Sequence, residues 1–165
     1  MRKHLFLAGA GAIIFFACND PKPRSADLKS PEMTQRQKDE RNKAIILKCI
    51  SAYAAKDSAY ILDQSIDDVV NIYGGQPPIH GNDSARIVLR QAFNLIKDYK
   101  PGNQIALADH NYVFVFQYVE ISNTKNDDKW HAKQVEIFKF NDDGKIILHT
   151  SVSEELGPND VRVPF

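Results

Sequence analysis

The sequence predicts an α+β domain in which helices pack on one face of an antiparallel sheet. Apolar residues recur at helical spacing within 44–54 and again within 84–97. From residue 104 onward, segments rich in β-branched and aromatic residues alternate between turn signals. Because the helical patterns precede most of the strand patterns, we expect the helices and the sheet to form separate layers.

A long first helix is predicted to end near Asp57. Ser30 or Thr34 caps its N-terminus, and Gln37 follows Thr34 at the spacing of a capping box. From Ala44 onward the apolar residues share one helical stripe, which indicates that this part of the helix buries one face.

Two shorter helices and one strand are predicted next. A second helix, capped by Asp57 or Ser58, covers about 58–64. A third covers roughly 84–97, with Asn82 or Asp83 as its cap, and Pro101-Gly102 is predicted to break the chain after it. Between them, residues 69–73 have the β-branched character of a strand, which the following glycines and prolines end.

The remainder of the domain is predicted to be a meander of about four strands. They cover 104–108, 112–122, 130–140 and 145–153. Asp143-Gly144 is a strong hairpin signal between the last two strands. The tail, 157–165, contains two prolines and is expected to lie outside the domain, which we place at 34–156.

Residues 1–17 have the organisation of an export signal. A basic start is followed by 13 uncharged residues, too few for the ~20 that span a bilayer. The sequence Phe15-Phe16-Ala17-Cys18 resembles a lipobox, although Phe15 and Phe16 are bulkier than its usual residues. The resemblance implies that Cys18 carries acyl chains such as palmitate in a lipid bilayer; the alternative is an uncleaved anchor with an incidental cysteine.

Residues 18–33 are predicted to be a flexible tether, because Leu28 is the only large apolar residue within 19–30. The domain would then lie in the periplasm of a bacterial cell envelope. Asn19 is not the aspartate that retains enterobacterial lipoproteins at the inner membrane, which favours the outer membrane.

The composition excludes several function classes. Removal of the leader leaves 19 basic and 21 acidic residues, and no basic stripe suggests nucleic-acid binding. If Cys18 is acylated, Cys49 has no partner for a disulfide within the chain. The histidines lack metal-ligand spacing, and no phosphate-loop or dinucleotide motif is present, so we expect no metal and no cofactor.

From about Arg41 to Glu155, the order of elements resembles the SnoaL-like branch of the NTF2-like superfamily. The supporting sequences are Ala55-Lys56-Asp57, Asp67-Asp68-Val69-Val70, His80-Gly81 and Asp143-Gly144-Lys145-Ile146. The resemblance implies a cone, in which a curved sheet wraps around the long helix and leaves an open cavity. In this superfamily the cavity is an active site, a ligand pocket or unused, and many members form homodimers through the sheet.

The catalytic residues of the steroid-isomerase relatives are not matched. Those enzymes use an aspartate base at the end of the first strand, where this sequence has Tyr73, and a tyrosine on the first helix, where it has Cys49. A phenol with a pKa near ~10 is a poor base at neutral pH. Tyr53, one turn later, is either a substitute donor or a core residue.

A different polar set is suggested by the strands. His131 and His149 could face one cavity, with Glu136 across the hairpin from His149, as in relatives that use an Asp/His pair; the alternative is a structural role. The candidate ligand-binding residues are Tyr73, Tyr118, Trp130, His131, Gln134, Glu136 and His149. The aromatic row 112–118 either lines this pocket or forms a packing or dimer face.

The sequence therefore predicts a lipid-tethered, non-catalytic domain that binds a small apolar ligand or a protein partner. The alternative is an isomerase, cyclase or dehydratase with His131 or His149 as its base.

Overall fold

The computed structural model describes residues 32–125 and 128–157. Within them lie α1 (Gln35–Ala54), α2 (Ser58–Asp63), β1 (Ser65–Tyr73), β2 (Ile79–His80), α3 (Asn82–Leu95), β3 (Ile96–Asp109), β4 (Tyr112–Asn123), β5 (Lys129–Phe140) and β6 (Ile146–Glu155). The predicted leader 1–17 with its lipobox, the tether as far as residue 31 and the tail from residue 158 fall outside the described residues.

The six strands form one curved, unclosed sheet in the order β2-β1-β6-β5-β4-β3, with the helices packed on it. This confirms the predicted α+β cone. One pairing was not expected: β1 and β6 run parallel, with Asn71 opposite His149 and Tyr73 opposite Ser151. The chain between these strands contains α3 and the first three strands of the meander, β3 to β5, so no short-range signal in the sequence could indicate that they are neighbours.

The local signals at the first two helices are confirmed. The Thr34 side chain accepts from the backbone N–H of Gln37, whose own side chain accepts from the backbone N–H of Thr34, which forms a capping box. Asp57 caps α2 by accepting from the backbone N–H of Tyr60 at 3.0 Å. The predicted cap of α3 is wrong, because Gly81, with φ +83°, occupies the N-cap and supplies no side-chain hydrogen bond.

The predicted break at Pro101-Gly102 is also wrong. The strand β3 begins at Ile96 and continues through both residues, so the predicted strand 104–108 is only its second half. The register with β4 shifts between Pro101 and Gln104, and proline is tolerated at such an irregularity, where no ladder N–H is needed. A Cβ at Gly102 would lie 3.1 Å from the carbonyl oxygen of Tyr118, so the close approach of β4 favours glycine.

The strand β4 defines two faces of the sheet. Its inner face carries Val113, Val115, Gln117, Val119 and Ile121, all buried under the helices. Its outer face carries the aromatic row Tyr112, Phe114, Phe116 and Tyr118, which stays partly exposed. The helices therefore pack on the aliphatic face of β4, and the aromatic row lies on the opposite face.

The core of this domain is self-contained. Residues Met33–Phe165 form a compact unit, and the cluster around Ile46, Val113, Val115 and Phe140, each 0% exposed, lies wholly within it. None of the helices in the described ranges has the length and apolar character needed to cross a membrane.

Candidate functional site

A cavity of about 630 Å³ lies between the helices and the inner face of the sheet. The helix α1 contributes Cys49 and Tyr53, and α3 contributes small and branched apolar side chains such as Ala92 and Val88. Because α1 and α3 cover only part of the curved inner face, the space between them is left unfilled. Most of its wall is apolar, and its polar groups come mainly from the strands.

A buried glutamine organises the polar part of the wall. Gln117 is 1% exposed, and its Nε2 lies 2.7 Å from Glu136 Oε1, 3.0 Å from Tyr99 Oη and 3.1 Å from Gln134 Oε1. Its Oε1 accepts from Gln104 Nε2 at 2.8 Å, and Tyr99 Oη donates to Gln134 Oε1 at 2.9 Å. Both ends of the Gln117 amide are satisfied, so this network joins β3, β4 and β5 and holds Glu136 in place.

The carboxylate of Glu136 also orients a histidine. Its Oε2 lies 3.1 Å from His149 Nε2, and the two side chains are only 13% and 16% exposed. The imidazole stacks flat on Phe138, at 4.4 Å and 2° between the planes, and the ring of Tyr73 meets it edge-on at 5.6 Å. A carboxylate only accepts, so Nε2 carries a proton, and in the neutral form of the imidazole Nδ1 is then the acceptor.

Nδ1 of His149 makes no hydrogen bond to any other residue in 32–125 or 128–157. This arrangement, with one imidazole nitrogen fixed by a carboxylate and the other unengaged, is the one that a histidine general base requires.

The phenols and the thiol of the cavity stay protonated at neutral pH. Burial, with Glu136 nearby, raises the pKa of Tyr73 and of Tyr99. Burial, together with Tyr73 and Glu136, raises the pKa of Tyr53 to about 12. Burial and Glu136 raise the pKa of Cys49 to about 12, against a smaller opposing effect of Lys48. Tyr73 is therefore a hydrogen-bond donor, and Cys49 is not an activated nucleophile.

Five of the seven predicted site residues line this cavity: Tyr73, Trp130, Gln134, Glu136 and His149. Tyr118 and His131 do not. They border a separate depression of about 230 Å³ on the outer side of the sheet, beside Pro101 and Gly102. The expectation that His131 and His149 face one cavity is thus corrected. His149 on β6 pairs with Phe138 on β5, and both side chains lie on the inner face. Side chains alternate between the two faces along a strand, and His131 is seven residues from Phe138, so His131 lies on the outer face.

Two residues that line the cavity, Asn71 and Tyr99, were not predicted from the sequence, and neither was the buried Gln117 that bonds to Tyr99 behind the wall. Gln117 interrupts the aliphatic alternation of β4, and Asn71 lies between Val69 and Tyr73 on one face of β1. A polar residue inside an apolar alternation was the signal available for both. In the described part of the chain, no group of three or more histidine, cysteine or acidic side chains is arranged to hold a metal ion.

Comparison with known proteins gives the same fold. The family described as SnoaL-like domain matches residues 46–149. A structure of a proposed polyketide cyclase from Xanthomonas campestris pv. campestris is 14% identical, with 70% of this chain and 91% of that chain covered and a TM-score of 0.66.

Two further structures are similar. An NTF2-like protein of unknown function from Burkholderia pseudomallei K96243 is 14% identical, with coverage of 67% and 88% and a TM-score of 0.61. AclR, a proposed hydroxylase from Streptomyces galilaeus, is 17% identical, with coverage of 70% and 76% and a TM-score of 0.61. None of the curated proteins matches. With the family match over more than half of its length and the cone-shaped architecture, this chain belongs to the SnoaL-like family of NTF2-like domains.

Proposed function

We propose that the cavity of this SnoaL-like domain binds a small, mainly apolar molecule, and that acylated Cys18 holds the domain at a membrane of the bacterial cell envelope. The cavity carries the proposal. Its volume of about 630 Å³ lies inside the range of about 300–1,000 Å³ typical of ligand sites. Its apolar wall with a few convergent polar groups, Tyr73, Glu136 and His149, is the composition that such sites have.

Filling the cavity tests this proposal. Residues 27–165 contain the whole compact unit and would be purified without the leader. We expect the hydrocarbon probe 2-ethylnaphthalene to bind in equilibrium dialysis, and Ala92→Trp, which projects an indole into the cavity, to weaken binding at least tenfold. Ala44→Trp, on an exposed part of α1, is the matched control and should bind normally. Absence of binding by the unmodified domain up to the solubility of the probe would contradict the proposal.

A second function, proton transfer, is favoured by the hydrogen bond between His149 and Glu136. In this reaction Nδ1 of His149 removes a proton from carbon beside a carbonyl group, and the Tyr73 hydroxyl donates a hydrogen bond to the oxygen that becomes negative. Returning the proton to the same or another carbon gives exchange or isomerisation. The relatives described as a cyclase and a hydroxylase make an enzymatic role in this fold reasonable.

Hydrogen exchange tests proton transfer without knowledge of the natural substrate. The acetyl methyl group of 2-acetylnaphthalene should take up deuterium in D₂O faster with the domain than in buffer, as measured by NMR. His149→Gln should reduce the enzyme-dependent rate about 100-fold, in the usual range for a general base. His131→Gln, on the outer face, is the control. Exchange no faster than in buffer would leave binding alone as the function.

The membrane tether has its own test in the full-length chain. Expression in a bacterial host with labelled palmitate should label the protein, and Cys18→Ser should abolish the labelling. Cys49→Ser is the matched control, because Cys49 is buried in the folded domain and should not affect acylation. Equal labelling of the Cys18→Ser variant would contradict the lipoprotein assignment.

A further inference from the structure

We infer that α3 is a lid over the cavity, which opens at its N-terminal end to admit the ligand and is fixed at its C-terminal end by Lys56 and Thr124. This rests on the proposed ligand-binding function and adds the route by which the ligand enters. None of the residues of α3 is fully buried, whereas four residues of α1 and one of α2 are. Among the helices of the described chain, α3 therefore contributes least to the core, and moving it exposes the least buried surface.

The apolar face of α3 borders the cavity. Ala85, Val88, Leu89 and Ala92 recur at the spacing of one helical face, and all of them line the cavity wall. In most surface helices such a face packs on the core, but here it lies over unfilled space. A ligand in the cavity would cover this face, so it would favour the position of α3 that closes on the ligand.

The C-terminal end of α3 is firmly attached. Lys56 Nζ donates to the carbonyl oxygens of Phe93 and Ile96, at 3.0 Å and 2.6 Å. Thr124 donates to the two carbonyl groups between them, through its hydroxyl at 3.0 Å and its backbone N–H at 2.9 Å. The ring of Phe93 also meets that of Tyr53 edge-on at 5.2 Å. The last carbonyl groups of a helix have no partners within the helix, and Lys56 and Thr124, here called the clamp, supply them.

The backbone of Lys56 supports this role for its side chain. Lys56 has φ +59°, in the left-handed region that favours glycine. A glycine would relieve the strain but would remove both hydrogen bonds to the end of α3. A strained lysine whose ammonium group holds a neighbouring helix indicates that the attachment has a function.

The N-terminal end of α3 is attached weakly. Gly81 occupies its N-cap and offers no side chain to the first N–H groups, whereas α1 and α2 both have side-chain caps. The strand before it, β2, is two residues long and pairs with β1 at Val70–His80 and Asn71–Ile79. Opening this end requires the release of that short pair and of one backbone hydrogen bond from Gly81. Opening the other end would require breaking the clamp.

A disulfide that fixes the N-terminal end tests the inference. Val70 and His80 are directly opposite on antiparallel strands, where Cα atoms lie about 4.5–5.5 Å apart, a separation that a disulfide spans. In the double variant Val70→Cys with His80→Cys, oxidation should slow association and dissociation of 2-ethylnaphthalene by about tenfold or more. Reduction with dithiothreitol should restore both rates. The rates are followed by the fluorescence of Trp130, the single tryptophan of the chain, which lines the cavity.

A second disulfide is the matched control. Tyr118 and Lys133 are directly opposite on the antiparallel strands β4 and β5, which do not hold the N-terminal end of α3. Oxidation of Tyr118→Cys with Lys133→Cys should leave both rates unchanged. An equal slowing in the two oxidised variants would show a general effect of the cross-link and would overturn the inference.

Amide hydrogen exchange tests the difference between the two ends of α3 without any ligand. We expect the amides of 86–89 to exchange at least about tenfold faster than those of 92–95, as measured by mass spectrometry. Lys56→Met keeps a side chain of similar length but releases the C-terminal end, so it should remove this difference. Lys48→Met, an exposed lysine on α1, is the control and should preserve it. Equal exchange at both ends of α3 in the unmodified domain overturns the inference, even if the cysteine pair does not fold.

The outcomes separate the lid from the function on which it rests. The cavity wall also reaches the surface at Trp130 and Val152, which are 36% and 59% exposed. Equal rates in the oxidised and reduced Val70→Cys with His80→Cys variant would show that the ligand enters there, which overturns the lid and leaves ligand binding intact. Failure of the unmodified domain to bind the hydrocarbon overturns the proposed function itself, and the exchange measurement then decides whether α3 opens.

Discussion

The inner and outer faces of the sheet both carry large apolar residues, aliphatic on the inner face of β4 and aromatic on its outer face, but they differ in what covers them. On the inner face, Val113 and Val115 are fully buried, and Gln117 lies in a complete hydrogen-bond network. On the outer face, Phe114 and Phe116 stay partly exposed, and Leu107 on the neighbouring strand is 57% exposed. Hydrophobicity alone therefore does not identify the core of this sheet.

The difference also separates two functions. The inner face combines a cavity with oriented polar groups, which suits a small ligand. The outer face carries the aromatic row beside charged pairs such as Lys100–Glu120, and no helix within 32–125 or 128–157 packs on it, which suits contact with a flat partner surface. We propose that it forms the homodimer that the family resemblance implies.

The largest expected effect on stability comes from placing a charge on each face of the sheet in turn. Val115→Asp puts a carboxylate at a fully buried position and should destabilise the domain by about 4 kcal/mol or more, enough to unfold it. Phe116→Asp, the next residue on the same strand, should leave a folded protein and convert a dimer into a monomer. Circular dichroism and native mass spectrometry measure both results. If the two variants unfold alike, the faces do not differ in the way described.

A smaller effect is expected from the polar network of the inner face. Gln117→Leu leaves Tyr99, Gln134 and Glu136 without their shared donor and should lower the free energy of unfolding by about 2–3 kcal/mol, measured in urea. Gln104→Leu removes one hydrogen bond at the edge of the network and should cost about 1 kcal/mol. Equal costs would show that Gln117 has no special place in the network.

Alkaline pH should lower the free energy of unfolding of the domain, because two groups buried on the inner side of the sheet have raised pKa values. Burial raises the pKa of Cys49 from 9.0 and of Tyr53 from 10.0, each to about 12. Between pH 9 and 12 the unfolded chain loses these protons while the folded chain keeps them, so unfolding releases protons and stability falls as the pH rises. The urea midpoint should drop between pH 8 and 10.5, and Cys49→Val should reduce the drop. A midpoint that does not change would contradict the burial of both groups.

The smallest effect concerns two glutamates, one on each face. Glu136 is 13% exposed and bonded to Gln117 and His149. Glu120, on the outer face, pairs with Lys100 at 3.3 Å and Lys129 at 3.4 Å, and the hydrogen bond from Lys100 lowers its pKa. Glu120→Gln should leave the urea midpoint unchanged within error, because exposed ion pairs contribute little. Glu136→Gln should lower it measurably, and the opposite ranking would refute the comparison.

The sequence by itself determined several features that depend on short-range contacts, although the cap of α3 and the break at Pro101-Gly102 were predicted wrongly. The capping box of Thr34 and Gln37 and the Asp57 cap were predicted correctly because their partners lie three residues away. The last hairpin was predicted from Asp143-Gly144, and Gly144 adopts φ +82° there. The α+β class and the meander followed from patterns that extend over ten residues or more. These signals are local, and tertiary packing did not reverse them.

The tertiary structure decided which side chains meet. Periodicity shows that His131 and Phe138 occupy opposite faces of β5, but only the placement of the helices shows which face encloses the cavity. The parallel neighbours Asn71 and His149 are 78 residues apart in the sequence, and their pairing depends on how the whole sheet curves around α1. The candidate site is made from such long-range neighbours, so its residues could be proposed singly from the sequence and assembled only by the fold.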